Sequence, residues 1–233
     1  MAREGLYLYC VGAPGHLAPE AVTGIDGAPI ATREVAGLTA WLSELEAAPT
    51  PSLERIRQHN RVVERACDER TALPLRFGQW FADDHALETS VRDRLDHLRR
   101  GLERVAGAME MGARILDPEH ARDDEPPDRS TGRAYLEAIA RREGAAKAAR
   151  DRGEAIARSL TERLNGLVRD ARVRPLGSAA GLVAVAYLVG RHDIGNYEAA
   201  VRDFAARHAD LRFLFSGPWP PYGFADDERD GSA

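Results

Sequence analysis

The chain has 233 residues, of which 44% are hydrophobic and 30% charged, a balance that fits a folded soluble protein of one large or two small domains. The formal net charge is −5, so no global basic field argues for nucleic acid. The longest apolar run, Leu182 to Val189, is far too short to cross a bilayer.

Leu6 to Val11 is almost continuously apolar and reads as a strand buried on both faces. Val22 to Ile25 and Ile30 to Val35 flank Asp26-Gly27, a hairpin-turn dipeptide, and Leu38 to Leu42 reads as a further strand. Thr50-Pro51 opens a helix, with proline at its first position and Leu53, Ile56, Val63 and Cys67 at helical spacing. Leu73 to Phe81 is the next expected strand, with Pro74 placing it at a strand start or a sheet edge. Asp83-Asp84 caps a second helix whose apolar stripe runs Leu87, Val91, Leu95, Leu98, Leu102, Val105. Met109 to Ile115 alternates as a half-buried strand. Residues 1–116 thus give strand, hairpin, helix, strand, helix, strand, the order of a ferredoxin-like α+β domain.

Residues 117–131 are acidic, contain Pro126-Pro127, and read as a solvated linker. From Gly132 to Asp170 one proline-free helical pattern follows, its middle carrying only alanine and glycine on the apolar stripe. Small residues bury little area, so this helix either breaks at Gly153 or lets another helix approach closely, packed on its own sheet or facing a partner. Ala171 to Gly177 and Leu182 to Val189 read as strands, and Asp193 caps a helix with Ile194, Tyr197, Val201, Phe204 and His208 on one face. Leu211 to Phe215 alternates as a closing strand. The expected architecture is α+β in two domains: residues 1–116, then after the linker a long helix leading into a smaller α+β domain over 132–225, with an acidic tail at 226–233.

The segment Gly217-Pro218-Trp219-Pro220-Pro221-Tyr222-Gly223-Phe224 is the most unusual in the chain. Three prolines fix φ and remove three donors, so it should run extended, near polyproline II, with Trp219, Tyr222 and Phe224 projecting. Those aromatics either plug the core or form a rigid docking surface, with Pro220 and Pro221 stiffening it. Arg76, between Leu75 and Phe77, either points out of its strand as an interface anchor or is buried against a carboxylate such as Glu64 or Asp68.

No constellation of catalytic residues emerges. The seven histidines are scattered without metal-ligand spacing, and His59 on the first helix reads as a surface or helix-packing residue. Cys10 and Cys67 are the only cysteines; they lack nucleophile or redox motifs and read as buried thiols in a reducing cytoplasm. The start, Met-Ala-Arg-Glu-Gly, lacks a signal-peptide pattern. Lys147 is the only lysine and lies mid-helix, which removes a P-loop. Gly24 and Gly27 lie in a predicted hairpin and make no dinucleotide fingerprint. Catalytic, cofactor-binding and metal residues are therefore assigned to none. Tyr7, Tyr9 and Phe77 are the aromatics an RNA-binding module would display, but their apolar neighbours favour a core.

Three strings carry a resemblance. Gly217 to Phe224 resembles the C-terminal signature of the gas vesicle GvpL/GvpF family. Leu6-Tyr7-Leu8-Tyr9-Cys10-Val11 resembles its opening strand, and Leu73-Pro74-Leu75-Arg76-Phe77-Gly78 its central "LPLRFG" element, in the expected order. The resemblance implies a non-enzymatic, cofactor-free accessory or minor structural protein of gas vesicle assembly in the cytoplasm. It would bind the hydrophobic major shell protein, and other gas vesicle accessory proteins, and limit shell-protein aggregation during nucleation. The competing readings are an enzyme or an RNA-binding module on a ferredoxin-like scaffold. Trp219, Pro220, Pro221, Tyr222, Phe224 and Arg76 are the candidate partner-binding residues.

Overall fold

The structure, a computed structural model, describes residues 5–15, 22–118, 132–176 and 181–225. The fold is α+β with two antiparallel sheets. It divides into two compact units: one gathers the described residues up to Glu110 and those from Trp219 on, the other runs from Met111 to Pro218.

The first sheet is built around β1 (Gly5–Gly12), every residue of which is buried, as its unbroken apolar sequence requires. β1 pairs with β3 (Leu38–Leu45), and β3 pairs with β2 (Ala31–Val35). The hairpin turns on Ala36-Gly37, both at positive φ (52° and 79°), with Val35 opposite Leu38. The expected hairpin at Asp26-Gly27 is instead a single 3₁₀ turn, Ile25–Gly27, outside the sheet. Asp26 and Gly27 do adopt the positive φ that the dipeptide favours, but the turn is held sideways: the Arg55 guanidinium grips the Asp26 carboxylate and Ile25 is buried.

α1 (Leu53–Glu69) starts two residues later than expected, because the Ser52 hydroxyl caps it by accepting from Arg55 N–H at 3.2 Å, leaving Pro51 outside. The expected strand over Leu73–Phe81 is two short pieces, β4 (Ala72–Pro74) and β5 (Trp80–Phe81), both paired with β1. Between them Phe77-Gly78 turns, with Gly78 at φ 105°, so the chain leaves the sheet and returns. Asp83 caps α2 (Asp84–Asp93) as expected, accepting from Ala86 N–H at 2.8 Å. The apolar stripe then continues through a break at Arg94 into α3 (Leu95–Val105). Leu87, Val91, Leu98 and Val105 of that stripe are buried.

β6 (Ala108–Leu116) is the strand the alternation indicated, but it belongs to the second sheet, ordered β7-β8-β6-β9. The sheet is completed by β7 (Val168–Pro175), β8 (Gly181–Gly190) and β9 (Arg212–Trp219). α4 (Gly132–Arg163) is unbroken and packs on β7 and β8. At Gly153 an added Cβ would lie 2.9 Å from the Leu182 carbonyl oxygen, so glycine there serves the close approach of a strand, β8, rather than a break or a second helix. Ala157, Leu160 and Leu164 follow it into a core with Met111, Ile115, Val185, Tyr187 and the Tyr197, Val201 and Phe204 face of α5 (Ile194–Ala206). Most of the expected 117–131 linker lies outside the described residues. Its first residue, however, is not solvated: Asp117 is only 2% exposed and bonds Arg152, which also reaches Asp210 at 2.7 Å.

The Pro-rich segment departs most from its sequence reading. It is not a continuous extended rod: β9 carries on through Pro218 to Trp219, and Tyr222–Ala225 forms one helical turn, α6. Nor does it end the C-terminal domain, since Trp219 onwards groups with the N-terminal unit. The three prolines forbid a long helix or an interior strand, but they permit an edge strand and a short helix after the last of them. The acidic tail expected at 226–233 lies outside the described residues.

Candidate functional site

The N-terminal unit holds a polar and aromatic cluster beneath the C-terminal segment. Tyr7 and Tyr9, two residues apart on β1 and so on one face, lie side by side with ring centroids 4.9 Å apart, against His59 of α1. His59 Nε2 lies 2.9 Å from the Leu75 carbonyl oxygen, which can only accept, so that nitrogen carries the proton. Nδ1 then accepts from the Tyr7 hydroxyl at 2.9 Å, and the Tyr7 oxygen accepts from Gly78 N–H at 3.1 Å. Tyr9 OH donates to Ser43 Oγ at 3.0 Å and accepts from Ile25 N–H at 2.9 Å. The excursion at Arg76–Gly78 is thus tied to the strand it leaves by a buried relay through Tyr7 and His59.

Burial sets the electrostatics of this cluster. It pulls the His59 pKa down to about 4, against a raising contribution from the Leu75 carbonyl, so the ring is neutral. Burial pushes the Tyr7 and Tyr222 hydroxyls well above the ordinary phenol value. It also pushes the Cys10 thiol up, with Cys67 adding to the effect, so Cys10 behaves as a small apolar side chain. These are neutral, hydrogen-bonded groups that give a core its specificity.

Tyr222 sits against this cluster. Its ring lies 6.5 Å from His59, and its hydroxyl donates to Asn60 Oδ1 at 3.1 Å. Gly223 N–H donates to Glu110 Oε2 at 2.7 Å, and Arg104 donates to the Phe224 carbonyl at 3.1 Å. Phe224 is fully buried, and Pro220 and Pro221 are buried beside it. Four of the six predicted contact residues, Pro220, Pro221, Tyr222 and Phe224, are therefore brought together as an inward-facing anchor. Trp219 is not: it is 49% exposed. Arg76 is exposed in the turn before Gly78, which removes the buried alternative with Glu64 or Asp68 as its necessary partner. Asn60, Glu110 and Arg104 were missed. They lie more than 100 residues from the segment they hold, and nothing in local periodicity marks them.

Among the described residues no group of histidine, cysteine, aspartate or glutamate side chains is arranged to hold a metal ion. No described helix is long and apolar enough to cross a membrane. A cleft of about 400 Å³ along α1 is lined by Glu54, Arg57, Asn60, Arg61 and Glu64, with no nucleophile among them.

Residues 5–226 match the family model of the gas vesicle synthesis protein GvpL/GvpF. Gas vesicle protein F1 of Halobacterium salinarum is 26% identical over 228 residues, covering 96% of this chain and 93% of its own. Gas vesicle protein L of a Streptomyces species is 28% identical over 250 residues, covering 94% and 92%. Among solved structures, the gas vesicle protein GvpF from an Anabaena species superposes with a TM-score of 0.76 at 22% identity over 97% of each chain. GvpF from Microcystis aeruginosa gives 0.74 at 19% identity, covering 96% of this chain and 99% of that one. These likenesses carry the fold, and the family model spans all three strings that suggested the resemblance. The chain belongs to the GvpL/GvpF family of gas vesicle synthesis proteins.

Proposed function

We propose that this chain is a non-enzymatic accessory or minor structural protein of gas vesicle assembly, acting in the cytoplasm at the vesicle. It binds the hydrophobic major shell protein and limits its aggregation during nucleation. Family membership supports the assembly role. The observation that carries the binding role is the exposure of Trp219 on an immobilised base. Tryptophan left half open costs little configurational entropy to dock when its neighbours are already pinned, and Pro220, Pro221, Tyr222 and Phe224 pin it. Arg76, exposed on the turn tied to Tyr7, is a second contact for polar groups of the partner.

The test is co-production with a gas vesicle major shell protein and measurement of the soluble shell fraction. Trp219→Ala is expected to lower that fraction by about tenfold, the size of one aromatic anchor, while leaving the melting temperature within a few degrees. A soluble fraction that is equally low with and without the unmodified chain would end the proposal.

A further inference from the structure

Among the described residues the second sheet has two outer strands, and they are treated differently. β7, on one side, carries Arg169, Arg172 and Arg174 and ends in Pro175. Charges and a proline are the usual guards against pairing with another chain. β9, on the other side, is guarded only at its ends, by Arg212 and Pro218: no residue from Phe213 to Gly217 is charged, in a chain in which 30% are.

β9 also exposes apolar surface on both faces. Phe213 packs inward against Phe204 (5.9 Å) and His208 (6.2 Å), and Phe215, two residues on, stacks on Phe213 at 6.0 Å and 19°. Phe215 remains 39% exposed, and Leu214, on the opposite face, is 42% exposed. An edge strand with open apolar groups above and below its backbone fits an added strand, which gains ladder hydrogen bonds and covers both faces at once.

We propose that the outer edge of β9, from Phe213 to Ser216, receives an extended, charge-free apolar strand of a different protein by β-augmentation. This rests on the reading of the chain as a binder of a hydrophobic protein and names how that partner is held. The missing charge fixes the partner's chemistry, because a charged strand would bury its charge against Leu214 and Phe215 without compensation. A second copy of this chain is a poorer occupant. In an antiparallel self-pair each copy's Pro218, which has no N–H, falls near the other's Arg212 end, so both ends of the ladder lose bonds.

The probe is a gas vesicle major shell protein co-produced with the full chain. Leu214→Lys combined with Phe215→Lys is expected to lower the soluble shell fraction by about tenfold, while Val173→Lys on the guarded β7 edge stays within about twofold. Retention of solubility by the double variant overturns β9 docking and leaves the accessory role standing. Failure of the unmodified chain to solubilise the shell protein overturns both. Should the double variant melt early, amide hydrogen exchange on the unmodified chain decides. Slowed exchange at Arg212–Gly217 on adding shell protein supports the docking, and unchanged exchange overturns it. Slowing that instead follows the concentration of this chain alone makes a second copy the occupant and overturns the proposal.

Discussion

His59 is buried and makes two hydrogen bonds only its neutral form can make without rearrangement. Its pKa is about 4 folded against 6.5 unfolded, so between those values the unfolded chain takes up the proton first. Its contribution to stability is complete above pH 6.5 and is lost as pH falls towards 4, up to about 3 kcal/mol. His59→Phe is therefore expected to be less stable at pH 7.5 but to lose less on going to pH 5. Urea midpoints at the two pH values check this, and identical pH dependence in both proteins would refute it. At Asp117 the argument runs through charge. Its carboxylate is almost wholly buried against Arg152, so Arg152→Ala is expected to lower the urea midpoint by taking a cationic partner from a buried carboxylate. Sequence reading placed Asp117 in a solvated linker because composition averages over neighbours, while one residue's burial depends on a cation 35 positions away.

The element that matters most is α6. It docks on α3 and β4, and the docking depends on Gly101: an added Cβ would meet Leu73 methyls at 2.9 Å and the Ala225 carbonyl oxygen at 3.2 Å. Ala normally stabilises a helix interior over Gly by about 1 kcal/mol. Here Gly101→Ala is expected to lower the melting temperature instead, because backbone and a packed leucine must give way; a rise would show that α6 sits loosely. Phe224→Ala is expected to cost about 3–5 kcal/mol as a core cavity. The short Phe77-Gly78 excursion and the Ala36-Gly37 hairpin were not legible as such. Pattern reading sees alternation, and alternation does not report which of two turn-capable dipeptides, Asp26-Gly27 or Ala36-Gly37, two strands will share. The long helix, the α2–α3 stripe and the capping aspartate were legible, since their signals are local and periodic.

Taken whole, the chain does not divide at one point. The N-terminal unit regains the chain at Trp219, so its core contains Phe224 from beyond the second sheet. A fragment ending near Asp117 therefore lacks a buried phenylalanine, the Tyr222–Asn60 bond and the Gly223–Glu110 bond. It is expected to be unfolded or aggregated by circular dichroism and gel filtration, and a soluble, cooperatively melting fragment would contradict this. Of the six residues picked from sequence as partner contacts, the structure leaves Trp219 and Arg76 exposed, buries Pro220, Pro221 and Phe224, and partly buries Tyr222.

The sequence by itself determined the α+β class, the long helix, the buried first strand and, through three strings, the family. The first three follow from periodicity, burial patterning and composition, all properties of neighbours along the chain, and the family from the likeness of the three strings, matched by the family model over residues 5–226. Only the tertiary structure decided that β6 joins the second sheet, that the Pro-rich segment folds back onto the first unit, and that His59 is a neutral buried hub. Each of these depends on contacts between residues far apart in sequence, where the competing partners are chemically alike and only simultaneous packing selects among them.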